Sequence, residues 1–517
     1  MSYCTAAIPG RAAAFFAAAC RYDPRPPQAS YILPMIMRFP LLLALAALLV
    51  QAGDDAQQRL TGAIFADTAI LQDLHELCDG IGGRPTGSPA CNRAIEWAAA
   101  KFKSAGADSV TTETFTVPTT WEPQTADAEC IAPEHFPLRI AATPNSLSGA
   151  VEAPIVDAGE GSPEAFAKLG VAAKGAIAIV ASKEMKTLDD LFADYFRSPA
   201  MVAAARKAGV AALLVQSSHP HGLLYRHPLA MSNEQFAPPA AIISREQAGR
   251  LLRLSADGPV RVRLKLTNKT GGPFESRNVI ADLKGRERPD EIVLLGAHLD
   301  SWDLGTGAED NGANAALVIE TLRALKALGL KPRRTIRFAL FTGEEQGMYG
   351  SLGYVKRHAA EMDKHNVAVV FDIGTGRTTG FFLNGREELR RPLEKALAGV
   401  AGLEVAENPI DGIDGTDNLD FLLSGVPNLV ANQDAAPYLA QYHAESDTVD
   451  RINPRELRAN TAIAAALVWA LAEDPERFGR RQTRDEIMKL LTETKLDQQM
   501  KAFAQWDDFV SGRRGVR

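Results

Sequence analysis

The sequence predicts an α/β fold: a mixed, mostly parallel wound sheet with helices on both faces, carrying a small β-rich insertion. From residue 275 onward, apolar runs alternate with helical stretches, the pattern of parallel strands joined by crossover helices. Between residues 146 and 270, shorter apolar runs and loops replace that regular alternation. The 517 residues also exceed what one compact core usually holds, so a second domain or an insertion is expected.

The composition narrows the class of partner. The chain is 46% hydrophobic and 23% charged, with a formal net charge of -7, and no block of lysines or arginines stands out. Nucleic acid and anionic membrane surfaces are therefore not expected as partners.

Residues 1–52 are expected to be absent from the mature protein. The apolar run PLLLALAALLV at 40–50 follows Arg38 and precedes Gln51-Ala52, which is the layout of a signal peptide over about 35–52. The run is too short for a stable membrane span, and residues 1–36 are expected to be an upstream extension of the true start. The alternative is a buried core helix. Export to the periplasm or outside the cell is the prediction.

Three cysteines remain in the predicted mature chain: Cys78, Cys91 and Cys130. In an oxidising compartment they would allow one disulfide with one thiol left over, and the sequence leaves the pairing open. No CxxC spacing is present, so a zinc–thiolate site is not expected.

Residues 53–145 form the N-terminal part of the predicted larger domain. Two helical stretches are separated by GIGGRPTGSPA, which lacks the GxxxxGK[ST] pattern of a phosphate loop and is predicted to be a connecting loop. A strand follows at Val110–Val117.

Residues 146–270 form the predicted insertion. Strands are expected at the apolar runs 176–180, 211–215 and 240–243 and at the alternating run 260–266, with a helix over 200–208. The loop SSHPHGLLYRHP holds His219, His221 and His227, which could form a metal cluster. A solvated loop is favoured, because no carboxylate or thiolate lies at a regular spacing from them.

Residues 271–475 carry the regular alternation of strands and helices. The predicted strands are Asn278–Leu283, Ile292–Ala297, Thr335–Thr342, Val367–Phe371, Gly380–Leu383 and Pro427–Ala431. The predicted helices are Ala313–Leu328, Gly350–Ala360, Leu389–Val400, Asp417–Ser424 and Pro454–Ala472. The tail, 476–517, is charged and helix-forming, and no chemistry is assigned to it.

Polar side chains cluster where these strands end. They are His298, Asp300 and Asp310 after the second strand, Glu344 and Glu345 after the third, Asp372 after the fourth, and Tyr442 and His443 beyond the sixth. Each one alone would more often be a hydrogen-bonded or solvated loop residue. Their joint appearance at one edge of a parallel sheet, where such folds bind ligands, favours a metal site.

The donor types limit the metal. Imidazoles and carboxylates without thiolates fit zinc, or else manganese or cobalt, in a catalytic site. Two ions sharing a carboxylate would stabilise both the nucleophile and the developing oxyanion in hydrolysis of an acyl bond.

Four segments carry a family resemblance: HLDSWDLGTGAEDNG, LFTGEEQGMYGS, VVFDIGTG and YHAESDTVDRINP. Together they resemble peptidase family M28, which comprises zinc aminopeptidases and carboxypeptidases, and within it the carboxypeptidase Q group of secreted dipeptidases. These motifs cover about 292–454. The layout of 146–270 is similar to the protease-associated domain that members of this group carry.

The resemblance implies two zinc ions per chain and a role for each residue. Asp310 would bridge the ions, with His298 and Asp372 completing one site and Glu345 and His443 the other. Glu344 would be the general base, Asp300 would orient His298, and Tyr442 would stabilise the oxyanion. A cis peptide is implied at Asp310-Asn311, where many members have a second aspartate in place of Asn311.

The resulting prediction is an exported di-zinc exopeptidase acting on short peptides or dipeptides, with a homodimer implied by the resemblance alone. A glutaminyl cyclase-like enzyme with a single zinc, and a non-catalytic scaffold of the transferrin-receptor type, are the alternatives. Whether the enzyme acts as an amino-, di- or carboxypeptidase stays open. Arg377 could bind a substrate carboxylate, although a solvent-facing role is favoured.

Overall fold

Two β-sheets organise the computed structural model, which describes residues 55–230 and 233–515. The described residues belong to one unit, Ala52–Arg517. The predicted upstream extension and signal peptide lie outside the described residues. Within the described ranges, every helix is too short or too polar to cross a bilayer.

The fifteen strands found in the described ranges are numbered in chain order. They are β1 Ser109–Val117, β2 Thr120–Ala132, β3 Phe136–Leu138, β4 Ile140–Ala142, β5 Gly149–Asp157, β6 Ile177–Val180, β7 Ala212–Gln216, β8 Ala240–Ile243, β9 Arg261–Gly271, β10 Phe274–Leu283, β11 Arg288–His298, β12 Arg334–Phe341, β13 His365–Val370, β14 Thr378–Phe382 and β15 Asn428–Gln433.

The first sheet has seven strands in the order β1-β10-β12-β11-β13-β15-β14. Its four neighbouring strands β12, β11, β13 and β15 run parallel, while β1, β10 and β14 pair antiparallel. The predicted mixed, mostly parallel sheet is confirmed. His298 at the end of β11 lies opposite Phe341 at the end of β12, so the loops after both strands begin at the same edge.

Helices cover both faces of this sheet, as predicted. The helices of the whole described chain, including those beside the second sheet and in the C-terminal tail, are 55–66, Ile70–His75, Pro89–Ser104, Pro163–Leu169, Leu188–Ala208, Arg245–Asp257, Ala313–Ala327, Tyr349–Arg357, Arg390–Leu397, Asn418–Leu423, Ala435–Gln441, Pro454–Glu473, Arg484–Glu493, Leu496–Ala502 and Trp506–Ser511. In β11, Val293 and Leu295 join the core on one face and Leu294 joins the core on the other. A strand buried on both faces explains why its sequence is a continuous apolar run.

The second sheet has eight strands in the order β3-β2-β9-β5-β6-β7-β8-β4. Its first long strand, β2, begins at Thr120, upstream of the predicted insertion. The sequence of β2 contains a proline and several polar residues, so it lacks clean alternation. Pairing with β9 stabilises it, from Thr120 opposite Gly271 to Ala132 opposite Arg261. The division at 146–270 and its protease-associated character remain predictions.

Cys78, Cys91 and Cys130 are buried and free, so the disulfide that an oxidising compartment would allow is not formed among the described residues. One local prediction is wrong in its bounds. The helix expected over 200–208 begins much earlier, at Leu188, where Thr187 and Asp190 form a capping box. Pro199 obscured its continuity in the sequence.

His365, at the start of β13, should make stability depend on pH. Burial lowers the pKa of this imidazole to about 3, whereas in the unfolded chain it is about 6.5. Below pH 6.5 the unfolded chain therefore takes up a proton that the folded protein excludes. We expect stability to fall as pH drops from 6.5 toward 3, with a slope from this residue approaching ~1.4 kcal/mol per pH unit.

The variant His365→Gln should show a shallower decline of unfolding free energy between pH 6.5 and 4.5 in denaturant titrations. His135→Gln, at an imidazole that is 68% exposed, is the control and should follow the wild-type slope. Equal slopes in all three proteins would contradict the expectation.

Candidate active site

The predicted site residues converge at the edge of the first sheet where its parallel strands end. Two groups of potential metal donors form there: His298, Asp310 and Asp372, and Asp310, Glu345 and His443. The donor atoms of each group lie within 4.8 Å of one another. Asp310 belongs to both groups, one carboxylate oxygen facing each. The arrangement contains all five predicted ligands, whose role as ligands remains a prediction.

Short contacts define the two groups. His298 Nε2 lies 3.1 Å from Asp310 Oδ1 and 2.9 Å from Asp372 Oδ1. His443 Nε2 lies 3.3 Å from Asp310 Oδ2 and 3.0 Å from Glu345 Oε2. All of these side chains are buried, at most 7% exposed.

The tautomer of each histidine follows from the hydrogen-bond partner of its Nδ1 atom. Nδ1 of His298 lies 3.0 Å from the carbonyl oxygen of Asp300, and Nδ1 of His443 lies 2.9 Å from that of Arg226. A carbonyl only accepts, so each Nδ1 must carry a proton and donate. Each Nε2 is then free to bind a cation, the arrangement that metal-binding histidines usually adopt.

Electrostatics favour a cation at this site. Burial alone would lower the pKa of His443, but Glu345 and Asp310 raise it to about 10. Burial and neighbouring carboxylates raise the pKa of Glu345 to about 7, and burial foremost raises those of Asp372 and Glu344. The carboxylates thus favour positive charge beside each Nε2, and zinc matches these nitrogen and oxygen donors. Among the described residues, Glu345 Oε1 is buried without a hydrogen-bond partner, as expected of an oxygen atom that is available to bind a metal ion.

The loop after β11 is held by the glycine-rich segment GIGGRPTGSPA. Arg84 is fully buried and donates to the backbone carbonyls of Leu299, Thr306 and Gly307. The hydroxyl of Thr86 donates to Asp300 Oδ2 at 2.6 Å and accepts from the Gly343 amide at 2.8 Å. A segment expected to be only a connector thus joins the loop of His298 to the loop of Glu344.

Asp447 holds the backbone around Asp310. Its carboxylate accepts from three consecutive amides, those of Ala308, Glu309 and Asp310, at 3.0, 2.6 and 3.2 Å. Burial raises the pKa of Asp447 to about 8. The peptide bond between Asp310 and Asn311 is cis, as expected.

The acidic residues Asp303 and Glu309 lie outside both donor groups. Glu309 is buried and accepts from the backbone amide and hydroxyl of Thr375, each at 2.7 Å. Asp303 forms a two-bond ion pair with Arg226, both contacts being 2.8 Å. Both carboxylates therefore stabilise loops.

The histidine-rich loop of the second sheet contacts the site. The expectation of a solvated loop is wrong for His219 and His227, which are 2% exposed, while His221 is exposed. The Arg226 amide donates to the His443 carbonyl at 3.0 Å and thereby helps hold His443 at a φ of 55°. This left-handed conformation is uncommon outside glycine. The second sheet thus positions a predicted ligand.

Two tyrosines lie beside the donors. The ring of Tyr442 stacks on His443 with 3.7 Å between centroids, and its hydroxyl lies 2.5 Å from that of Tyr195. Tyr438 donates to Asp310 Oδ2 at 3.3 Å. Tyr195 and Tyr438 were not among the predicted site residues. Arg377 is exposed and pairs with Glu404, consistent with the favoured solvent-facing role.

Two neighbouring cavities share the lining residues Pro228, Glu345 and Gly347. An inner pocket of about 120 Å³ is lined by the donors, by Glu344 and by apolar side chains. An outer cleft of about 650 Å³ runs along the boundary with the second sheet. A substrate could therefore extend to either side of the metal donors.

Comparison with known proteins identifies this chain as a metallopeptidase. Residues 278–468 match the sequence model of Peptidase family M28, so the chain carries the domain of that family. Carboxypeptidase Q of Bos taurus is 28% identical over 434 residues, which are 83% of this chain and 91% of that protein.

Solved structures agree with this assignment. A peptidase M28 precursor from Shewanella amazonensis SB2B superposes with a TM-score of 0.77 at 29% identity, covering 84% of this chain and all of that one. BSAP, a zinc aminopeptidase from Bacillus subtilis, gives a TM-score of 0.61 at 21% identity, covering 80% of this chain and 97% of that one. At this identity, the similarity to BSAP shows a shared fold.

Replacement of Asp447 by asparagine should loosen the loop of Asp310. An amide has one acceptor oxygen where the carboxylate has two, so at least one backbone amide would lose its partner and face an NH₂ group. We expect Asp447→Asn to lower the unfolding free energy by ~1–3 kcal/mol, measured by denaturant titration with a chelator present. Asp450→Asn, at a side chain that is 72% exposed in the next turn, is the control.

Proposed function

We propose that this protein is an exported di-zinc exopeptidase that removes the N-terminal residue from short peptides or dipeptides. The observation that carries the proposal is the sharing of Asp310 between two groups of buried donors. The signal-like run at 40–50 supports export.

Five side chains would hold the ions: His298, Asp310 and Asp372 on one side, and Asp310, Glu345 and His443 on the other. Bound zinc supplies Lewis acidity, which activates water and polarises the scissile carbonyl. The buried donors and the carbonyls behind each Nδ1 fix the imidazoles in one orientation.

Glu344 is the proposed general base. It follows β12, lines the inner pocket beside the donors and is not itself a member of either donor group. Its carboxylate would take a proton from the attacking water and pass it to the leaving amine. Asp300, held by Thr86, would orient His298, although its carbonyl oxygen lies nearer to Nδ1, at 3.0 Å, than its carboxylate oxygen Oδ1, at 3.7 Å. The Tyr442 hydroxyl would donate to the developing oxyanion.

The charge of the inner pocket favours a free amino terminus. Of its described lining residues none is a lysine or arginine, while Asp372, Asp414 and Glu344 contribute carboxylates. The outer cleft, in contrast, includes Arg93 and Lys269 among its lining residues. With Asp372 assigned to a metal ion, Asp414 and Glu344 would pair with a substrate's ammonium group, whereas no lysine or arginine of the described lining would pair with its carboxylate.

Glu344→Gln should abolish most activity and retain the metal. We expect kcat to fall ~10²–10⁴-fold on a dipeptide such as Leu-Ala, because the amide cannot take a proton. Zinc content, measured by plasma emission spectroscopy, should stay at two per chain. Glu404→Gln, at a glutamate that is 74% exposed, is the control and should keep full activity.

Two results would contradict this mechanism. Full activity in Glu344→Gln would remove Glu344 as the base, and a stoichiometry of one zinc with pyroglutamate formation would favour the glutaminyl cyclase alternative.

Blocking the substrate's amino terminus should matter more than blocking its carboxyl terminus. N-acetyl-Leu-Ala should be hydrolysed ~10–100-fold more slowly than Leu-Ala, since it lacks the ammonium group that would pair with the carboxylates of the inner pocket. Leu-Ala amide should remain a substrate. Chromatographic product analysis distinguishes the cases, and the opposite ranking would indicate a carboxypeptidase.

A further inference from the structure

The C-terminal segment, residues 496–514, reaches the inner pocket. Phe503 and Gln505 both line it, although no chemistry was expected from this tail. Both side chains are buried, at 5% and 6% exposure. The tail is therefore part of the wall around the metal donors.

The segment is anchored on both sides of Phe503. Leu496 and Met500 pack in a core cluster with Leu419 and Leu423 of the helix Asn418–Leu423. At the far end, buried Arg514 donates two bonds of 2.9 Å to the carboxylate of Asp420.

A further bond connects the far end of the tail to the loop of the proposed base. Arg514 Nη2 donates to the Gly347 carbonyl at 3.2 Å, and Gly347 lies three residues after Glu344. The segment thus has a fixed position relative to the donors.

Phe503 packs against the long helix Leu188–Ala208 of the second sheet. Its ring lies edge-on to Tyr195, with 5.6 Å between centroids, and 6.3 Å from Phe192. Tyr195 in turn contacts Tyr442 through their hydroxyls. Two parts of the chain more than 300 residues apart in sequence therefore meet over the donors.

The lining away from the donors is largely apolar. The side chains are Leu188, Leu191, Phe192, Ile373, Ile413 and Phe503. The pocket has a volume of about 120 Å³, and the rings of Phe192 and Phe503 form part of its wall, where a bulkier substrate side chain would meet them.

We propose that Phe503 determines substrate specificity: with the helix Leu188–Ala208 it forms the apolar wall of the inner pocket and limits the size of the N-terminal side chain that the pocket accepts. The inference rests on the proposed exopeptidase function and deepens it by naming the substrate class. Peptides beginning with leucine, isoleucine or methionine should be preferred over those beginning with alanine or tryptophan.

The test changes the size of residue 503 in the zinc-loaded, full-length enzyme. Phe503→Ala should raise kcat/KM for Trp-Ala relative to Leu-Ala about tenfold, because the enlarged pocket admits the indole ring. Phe503→Trp should lower kcat/KM for Leu-Ala relative to Gly-Ala by a similar factor. A gain on the larger substrate cannot come from partial unfolding.

Val510→Ala is the matched control. Val510 lies on the same tail, is 49% exposed and does not line the pocket. The Val510→Ala variant should therefore rank the substrates as the wild type does. Should the alanine variant at 503 fail to fold, Phe503→Leu makes a smaller change in the same direction. Parallel substrate rankings in the wild type and the variants at position 503 would overturn the inference.

A binding measurement separates this inference from the proposed function. Calorimetry with free leucine and free tryptophan reports on the pocket without catalysis. If the wild-type enzyme cleaves no peptide, the proposed function fails. The inference still stands if Phe503→Ala shifts binding toward tryptophan, and it is overturned if the ratio of affinities is unchanged.

Discussion

The repulsion among buried carboxylates is the constraint on which this structure depends. Asp310, Asp372 and Glu345 share one small site with Glu344, and two unit charges 4 Å apart still interact by about 4 kcal/mol at an effective dielectric constant of 20. Such a cluster stays buried only if protons or cations neutralise it and the backbone around it cannot move away. Two imidazoles provide the first condition in the absence of metal.

The second condition explains why distant parts of the chain meet at this edge. Arg84 and Thr86 fix the loop after β11 from the N-terminal side, and Asp447 binds the amides around Asp310 from the other. Arg226 adds a constraint from the second sheet by exchanging two hydrogen bonds with His443. Most of these contacts end on backbone groups of the loops, so they restrain the position of the donors. The two charged side chains among them, Arg84 and Asp447, have opposite signs.

The sheet and the candidate donors could be predicted from the sequence because both follow from local pattern. Continuous apolar runs mark strands buried on both faces, and His298, Glu345 and Asp372 directly follow such runs. The roles of Arg84, Asp447 and Arg226 could not be predicted, because each depends on a contact between residues more than 130 positions apart. The only local signal was the glycine-rich loop around Arg84, where the backbone approaches the loop after β11 closely. A Cβ on Gly83 would lie 2.7 Å from the Cα of Asp303.

The connection between the two sheets has a consequence for how this architecture can vary. Val117 pairs with Phe274 at the last position of the β1–β10 ladder, and Thr120 pairs with Gly271 at the first position of the β2–β9 ladder. The whole second sheet is therefore inserted between the paired strands β1 and β10. The chain enters the second sheet through β2 and leaves it through β9, which pair with each other. Lengthening, shortening or exchanging that sheet leaves the strand order of the first sheet intact. The second sheet, which covers the site, can thus vary in sequence and length independently of the first sheet. The exceptions are contacts between the two sheets, such as those of Arg226 and Tyr195.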